Sequence, residues 1–549
     1  MTRLLVKYAC LAVLVGLPVV GAGRLAAHED QDGDAADGAS RNMKLVGSND
    51  LQARSTYQPT LHKQGGRYYI YAGHHAYGAP GEGSAPAGTP PLPKVNNEEN
   101  GTSIVDVTNP RHPKYMIHIP VPNGSGGGSQ MVRVCDGSSL PIHNGKVYVL
   151  RSYANSAHEI WDVTDPSSPV GVRTVAGGNP VIGAQTGQPG ALAGTHKSWW
   201  ECDTGIAYIV GRRGNDTTSG WKGGNHIFVF DLSDPANPVF LRDWALDGQQ
   251  PGSVPPPHFT TVPSIHGPIS TGPNATTNPI YGTGATLDRV YFAYGTGSTG
   301  VMQIVDRTKL LPPPWGTGVT CGSAASSQLP VPCTDFKTAE VGRWIMNPDN
   351  GAHTSFPIGK IPIKDFMVVG ETGNPDLGTP RDIVFVTSEA TANYCAGQVR
   401  HLSFTVDATD EGRPQSIATY QVSEASGHFC ARGGRFGPHA TNEEFGPPFY
   451  QKLVFTSQFN AGVRVTDIRD PYNPKEVAFF IPAVNANTDL RCGPFQGNSN
   501  KCVQVVQTNN VATDDRGFVY IVDRADSGMH VLRLTGDAAR IVGLDGDDD

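Results

Sequence analysis

Short apolar runs rich in Val, Ile, Tyr and Phe alternate with clusters of Gly, Pro, Asn and Asp, and no amphipathic helical stretch stands out. One run ends in the same phrase four times: Ile104-Val105-Asp106-Val107-Thr108-Asn109-Pro110-Arg111-His112-Pro113, then 160–169, 229–238 and 465–474. A second apolar run follows, such as 475–481. Asp or Asn before Pro starts a tight turn, and two prolines three apart continue neither strand nor helix. Each copy therefore predicts a strand, a fixed turn and a returning strand.

A second run recurs between these copies, at 68–71, 147–150, 207–210, 290–294, 383–387, 453–457 and 518–522, and weaker versions of the Asp phrase stand at 303–306 and 404–407. Seven units with room for four strands each predict an all-β chain, a seven-bladed β-propeller over 43–536, with insertions near 76–100, 312–340 and 357–380. A pair of β-sandwiches does not account for seven like units. The run at 43–47 resembles the strand after each Asp-Pro turn, while the last run, 531–534, has no such turn after it. The N-terminal strand is thus expected to complete the last sheet and seal the ring, removing exposed edges.

The Ile-Val-Asp-Val-Thr-Asn/Asp-Pro-x-x-Pro units resemble the LVIVD repeats of bacterial and archaeal β-propeller proteins. The resemblance covers nearly all of 43–535, with four good copies, two partial ones and a terminal half. It implies the fold and carries little about activity.

Composition adds the setting. Arg3 and Lys7, the apolar stretch 9–20 and the small residues at 21–23 and 26–27 read as a signal peptide over 1–27, so the chain is expected in the periplasm or secreted, with no integral membrane segment after its removal. An acidic flexible leader is expected over 28–42 and an acidic tail over 537–549. A net charge of −8 without a basic stripe argues against nucleic acid. Eight cysteines remain after residue 27, an even number that suggests disulfides in an exported chain. The natural pairs are Cys135–Cys202, Cys321–Cys333, Cys395–Cys430 and Cys492–Cys502.

Candidate chemistry lies in a second repeat. His62, His143, His196, His266, His353 and His439 each precede a strand run, and the seventh unit offers Asn509-Asn510. Equivalent positions on successive blades ring the central channel, and imidazole is the commonest protein ligand of zinc, copper and iron. His196, His266, His353 and His439 are the best ligand candidates for a copper, iron or zinc ion, with His62 and His143 second. The alternative is a repeat-consensus histidine that bonds a neighbouring blade's backbone. Carotenoid-cleaving oxygenases and methanethiol-oxidising selenium-binding proteins are similar in architecture, with axial histidines around iron or copper, but their sequence motifs are not visible here.

Glu201 and Glu443 follow ligand candidates closely and are the candidate acid/base groups, against a reading as surface carboxylates. The glycine-rich loop 430–439 offers Arg432 and Arg435 to an anionic substrate, or serves as a disulfide-pinned connection. His74-His75 reads as an exposed loop pair, ahead of a second metal site completed by another nearby residue. No Gly-x-Ser-x-Gly elbow and no HExxH motif is present. Two functions compete: a metal-dependent oxidoreductase acting on a small-molecule substrate in the channel, and a non-catalytic envelope scaffold that binds a protein partner through its loops.

Overall fold

The computed structural model describes residues 38–75, 101–121, 128–176, 192–213, 220–254, 259, 262–274, 286–296, 298–318, 336–363, 380–444 and 446–544. Seven antiparallel sheets follow one another around a ring, each with its first strand innermost. The first blade runs Thr56–Gln64, Arg67–His74, Gly101–Asp106 and Lys114–Ile119, and the second Val132–Asp136, Val147–Tyr153, Ala157–Asp162 and Val170–Val175. The innermost strands of the third, fourth and fifth blades are Ser198–Trp200, Ile265–Ser270 and Ala352–Ile361. In the sixth, residues 439–442 pair with Leu453–Ser457 from the channel side. The seventh begins at Thr508–Thr513.

Each blade is covered on both faces by its neighbours, which is why its middle strands read as continuous apolar runs rather than alternating ones. Every residue of Val147–Tyr153 and of Gly101–Asp106 is buried. The Asp phrase forms two consecutive side-chain-capped turns. Asp106 accepts from the Thr108 amide at 2.9 Å and Asn109 from that of Arg111 at 3.1 Å. The pattern repeats at Asp162 and Asp165 (3.0 and 2.9 Å), Asp231 and Asp234 (2.8 and 3.0 Å), and Asp467 and Asp470 (3.0 and 3.1 Å). These turns return the chain to the outer strand and set each blade's edge.

Closure is as expected. Met43–Asn49 pairs with Met529–Leu534, register Met43 to Leu534, and completes the seventh sheet. The chain does more than this, because Ser40–Arg41 pairs with Phe480 and Phe479 as the outermost strand of the sixth sheet. The end of the expected flexible leader is therefore structural. The expected tail likewise begins as the helix Gly536–Val542, which buries Ala538, Ala539 and Val542.

Three of the four expected disulfides are present: Cys135–Cys202, Cys395–Cys430 and Cys492–Cys502. The last staples a separate hairpin, Leu490–Phe495 with Asn498–Gln504, between the sixth and seventh blades. Cys321 and Cys333, the signal region 1–27 and the insertion 76–100 lie outside the described residues. Among the described residues, no helix is long and apolar enough to cross a membrane.

Candidate axial histidine site

The channel-facing residues are placed by interruptions in the strand ladders. The pairing register skips Tyr57 in the first blade, His266 in the fourth and His353 in the fifth, and it skips Asn509 and Asn510 in the seventh. A bulge residue leaves the ladder and its side chain is re-aimed, here toward the axis. His439 enters from the sixth blade, where its amide donates to the Ser457 carbonyl at 2.9 Å. His196 enters from the third.

Four of the six candidate histidines converge. His196 and His266 have ring centroids 4.7 Å apart, His266 and His353 4.1 Å, and His353 and His439 4.1 Å. Tyr57 stands among them, its ring 5.1 Å from that of His196 and 5.2 Å from that of His439. Its hydroxyl lies 2.8 Å from His353 Nε2 and 3.4 Å from His266 Nε2. Ligand atoms of His266, His353 and Glu389 all lie within 4.8 Å of one another, and Glu389 Oε1 is 3.9 Å from His439 Nε2. His353 and Glu389 are buried, and His196 and His266 are half-buried.

A charged lattice backs the rings. Lys197 Nζ donates to Glu443 Oε1 at 2.6 Å and lies 3.5 Å from His353 Nδ1. Arg133 binds the other Glu443 oxygen and the Ser198 carbonyl, the latter at 2.9 Å. Arg435 Nη1 donates to Glu389 at 3.1 Å. Burial, aided by the Lys197 ammonium, holds His353 well below the usual imidazole range, and burial with His196 beside it does the same for His266. Burial brings His196 down to about 3. All are therefore neutral imidazoles, the form that ligates metals. Burial raises Glu389 against the opposing pull of Arg435. For Glu443, burial pushes upward but Lys197 and Arg133 outweigh it, and the carboxyl lies below its ordinary value.

The donor set suits a transition metal, and its support fits as well. His439 Nδ1 sits 2.6 Å from the Asn509 carbonyl, so it carries the proton and leaves Nε2 with its lone pair toward Glu389. A ligating histidine is commonly oriented in this way by a carbonyl behind it. His353 Nδ1 meets the Thr354 hydroxyl, which can donate or accept, at 2.9 Å.

The other candidates lie elsewhere. His62 is at the far end of the first inner strand, bonded to Asp136 at 3.1 Å, and His143 is an exposed turn residue whose Nδ1 lies 3.1 Å from the Ser138 carbonyl. Both immediately precede a second strand, at 67 and 147, whereas His196, His266, His353 and His439 lie before or within the inner strand, well upstream of 206, 289, 381 and 453. The six histidines are thus two unrelated sets. Glu201 sits four residues past Lys197, about 13 Å along a strand. It accepts a forked pair from Arg307 (2.9 and 2.8 Å) and bonds from Ser270 (2.6 Å) and Tyr208 (3.0 Å), stitching the third blade to the fourth. It is neither an axial group nor a surface carboxylate. Glu443 does lie at the axis, buried.

His74 and His75 are also not an exposed pair. His74 is buried between Thr56 (3.0 Å) and Ser103 (2.7 Å), and His75 is buried with its ring 5.0 Å from that of Tyr57. Sequence reasoning missed Tyr57, Lys197, Arg133 and Glu389. A signal for Glu389 existed: it directly follows the second strand of its blade, as His75 follows that of the first. The 430–439 loop is pinned by Cys395–Cys430, and Arg435 is committed to Glu389.

The fold defines a seven-bladed β-propeller with a buried polar cluster on its axis. No family model and no curated protein matches the chain. Among solved structures, the β-propeller domain of Cps50 (Swd1) from Myceliophteria thermophila is similar over 90% of this chain and 100% of its own, with 7% identity and a TM-score of 0.43.

Proposed function

We propose that this chain is an exported LVIVD-repeat β-propeller that acts as a metal-dependent oxidoreductase on a small substrate entering the central channel. One observation carries the reading: His266, His353 and Glu389 present three ligand atoms within 4.8 Å of one another, flanked by His196 and His439. Two imidazoles and a carboxylate with open positions are the donor set of non-haem iron oxygenases and of some catalytic zinc sites. A bound iron or copper ion would supply redox chemistry, and zinc Lewis acidity. The chain's own residues orient and enclose. Asn509 and Thr354 fix the rings of His439 and His353, Arg435 holds Glu389, and Lys197 with Arg133 anchors Glu443 at the edge of the cluster. The half-buried edges of His196 and His266 give a small molecule its approach. Export is supported by the N-terminal pattern together with the three disulfides.

A second reading, the non-catalytic scaffold, draws on the same lattice. Arg133, Lys197 and Glu443 tie together the second, third and sixth blades, a structural role that needs no metal. Metal analysis of the mature chain, expressed with copper, iron and zinc supplied, separates the two. About one equivalent is expected, lost in the His266→Ala/His353→Ala double variant with unchanged far-UV circular dichroism. A metal-free protein under all three supplements leaves only the scaffold.

A further inference from the structure

Tyr57 occupies, in the first blade, the bulge position that His266 and His353 occupy in theirs. A strand bulge is a costly place for an ordinary core residue, because it gives up ladder pairing to aim one side chain. The side chain aimed here is only 1% exposed. Its polar contacts at the site are His353 Nε2 at 2.8 Å and His266 Nε2 at 3.4 Å, the ring nitrogens of two of the three converging ligand residues. Its backbone is fixed from behind, since Asn509 Nδ2 donates to the Tyr57 carbonyl at 3.1 Å.

The separations are informative. Two donors on one ion, each about 2.0–2.1 Å away, stand roughly 2.8–3.4 Å apart when they subtend about 90–110°. Tyr57 Oη meets that spacing to His353 Nε2 and His266 Nε2 alike. A hydroxyl that served only to fill the channel needs one such partner; this one is shared between both imidazoles.

We propose that Tyr57 is itself a ligand of the axial metal, binding as a phenolate beside His266, His353 and Glu389. The inference rests on the metal-site reading above and adds a fourth protein donor to it. Coordination breaks the phenol O–H bond and forms an oxygen–metal bond, and the proton is released to bulk solvent along the side of the channel where His196 and His266 are half-buried. The metal keeps its oxidation state in this step. Burial and the Glu389 and Glu443 carboxylates hold the Tyr57 phenol well above its ordinary range, so it stays protonated until an ion takes the place of its proton.

The test is spectroscopic and needs no substrate. Cu(II) and, separately, Fe(III) are added to the metal-free mature chain with its disulfides intact, and visible absorption and resonance Raman spectra are recorded. A phenolate-to-metal charge-transfer band with enhanced tyrosinate ring vibrations is expected, absent when colourless Zn(II) is loaded instead. Tyr57→Phe should retain at least half the metal through the histidines while losing the band completely. Bound Cu(II) or Fe(III) with no phenolate vibrations in the wild-type protein overturns the inference and leaves the metal site standing. Bound metal with a band unchanged in Tyr57→Phe does the same. Failure of every ion to bind overturns both. The Raman measurement on the wild-type chain decides the matter even where Tyr57→Phe does not fold.

Discussion

At the scale of single residues, the axial cluster is a set of neutral rings held in place by buried charges. Lys197 is the most strained of those charges: it is buried, burial lowers its affinity for a proton, and Glu443 opposes this. Replacing Lys197 by Met leaves Glu443 with Arg133 alone in a buried setting, and breaking a buried ion pair costs about 3 kcal/mol. Urea unfolding should show that loss, and Glu443→Gln, which takes the carboxylate from Lys197 and Arg133 together, should cost more. His62→Ala and His143→Ala, by contrast, should leave metal content unchanged, since neither side chain reaches the axis. Glu201→Gln should lower the melting temperature, because Arg307 loses its buried counter-charge, again with metal content intact. Much of this site was readable in the sequence and part was not. His196, His266, His353 and His439 recur because the fold reuses one position. His62 and His143 joined them only because histidine also suits a hairpin ahead of a second strand. Tyr57 was invisible because the position was marked by a bulge, which depends on pairing between strands and leaves no residue type behind it.

At the scale of elements, the repeated Asp phrase is legible because its chemistry is local. Each carboxylate or amide caps the amide two residues on, so the turn can be read without knowing the fold. The outer strand Ser40–Arg41 and the helix Gly536–Val542 were not legible, since both are held by tertiary packing of short segments with weak local signals. Buried histidines away from the axis give a pH dependence of their own. Burial lowers His158 to about 3, and His530 and His401 to about 4. An unfolded histidine takes up its proton near 6.5, so between there and about pH 4 the unfolded state binds protons that the fold refuses. Their contribution is present above pH 6.5 and is lost as pH falls. Asp523, raised by burial to about 6, acts oppositely, its contribution full below about pH 3.8 and lost as pH rises through 6; Asp288, Glu389 and Glu444 are raised too, but the lowered histidines outnumber these carboxyls. Stability should therefore fall on acidification from pH 6.5 to 4, and His158→Phe should flatten the slope by up to about 1.4 kcal/mol per pH unit. Denaturant midpoints across that range check it.

At the scale of the whole molecule, the ring closes through the N-terminal segment, which serves two blades at once. Removing residues up to 49 strips the outer strand from both the sixth and seventh sheets and exposes two edges. Such a truncation is expected to lower the melting temperature by more than 10 °C and to associate on size-exclusion chromatography. A Cys pair at Met43 and Leu534, which face each other in register, should restore the melting point of a chain weakened elsewhere. Closure also keeps the axis narrow, and so brings histidines from four blades within contact of one another. The central claim is that this convergence holds a metal. An anomalous-scattering map from crystals of the mature chain grown with iron, copper or zinc tests it most directly. The account predicts one peak bounded by His266, His353 and Glu389, with ligand distances near 2.0–2.2 Å. A map without a peak at that point, from protein saturated with each ion in turn, contradicts it.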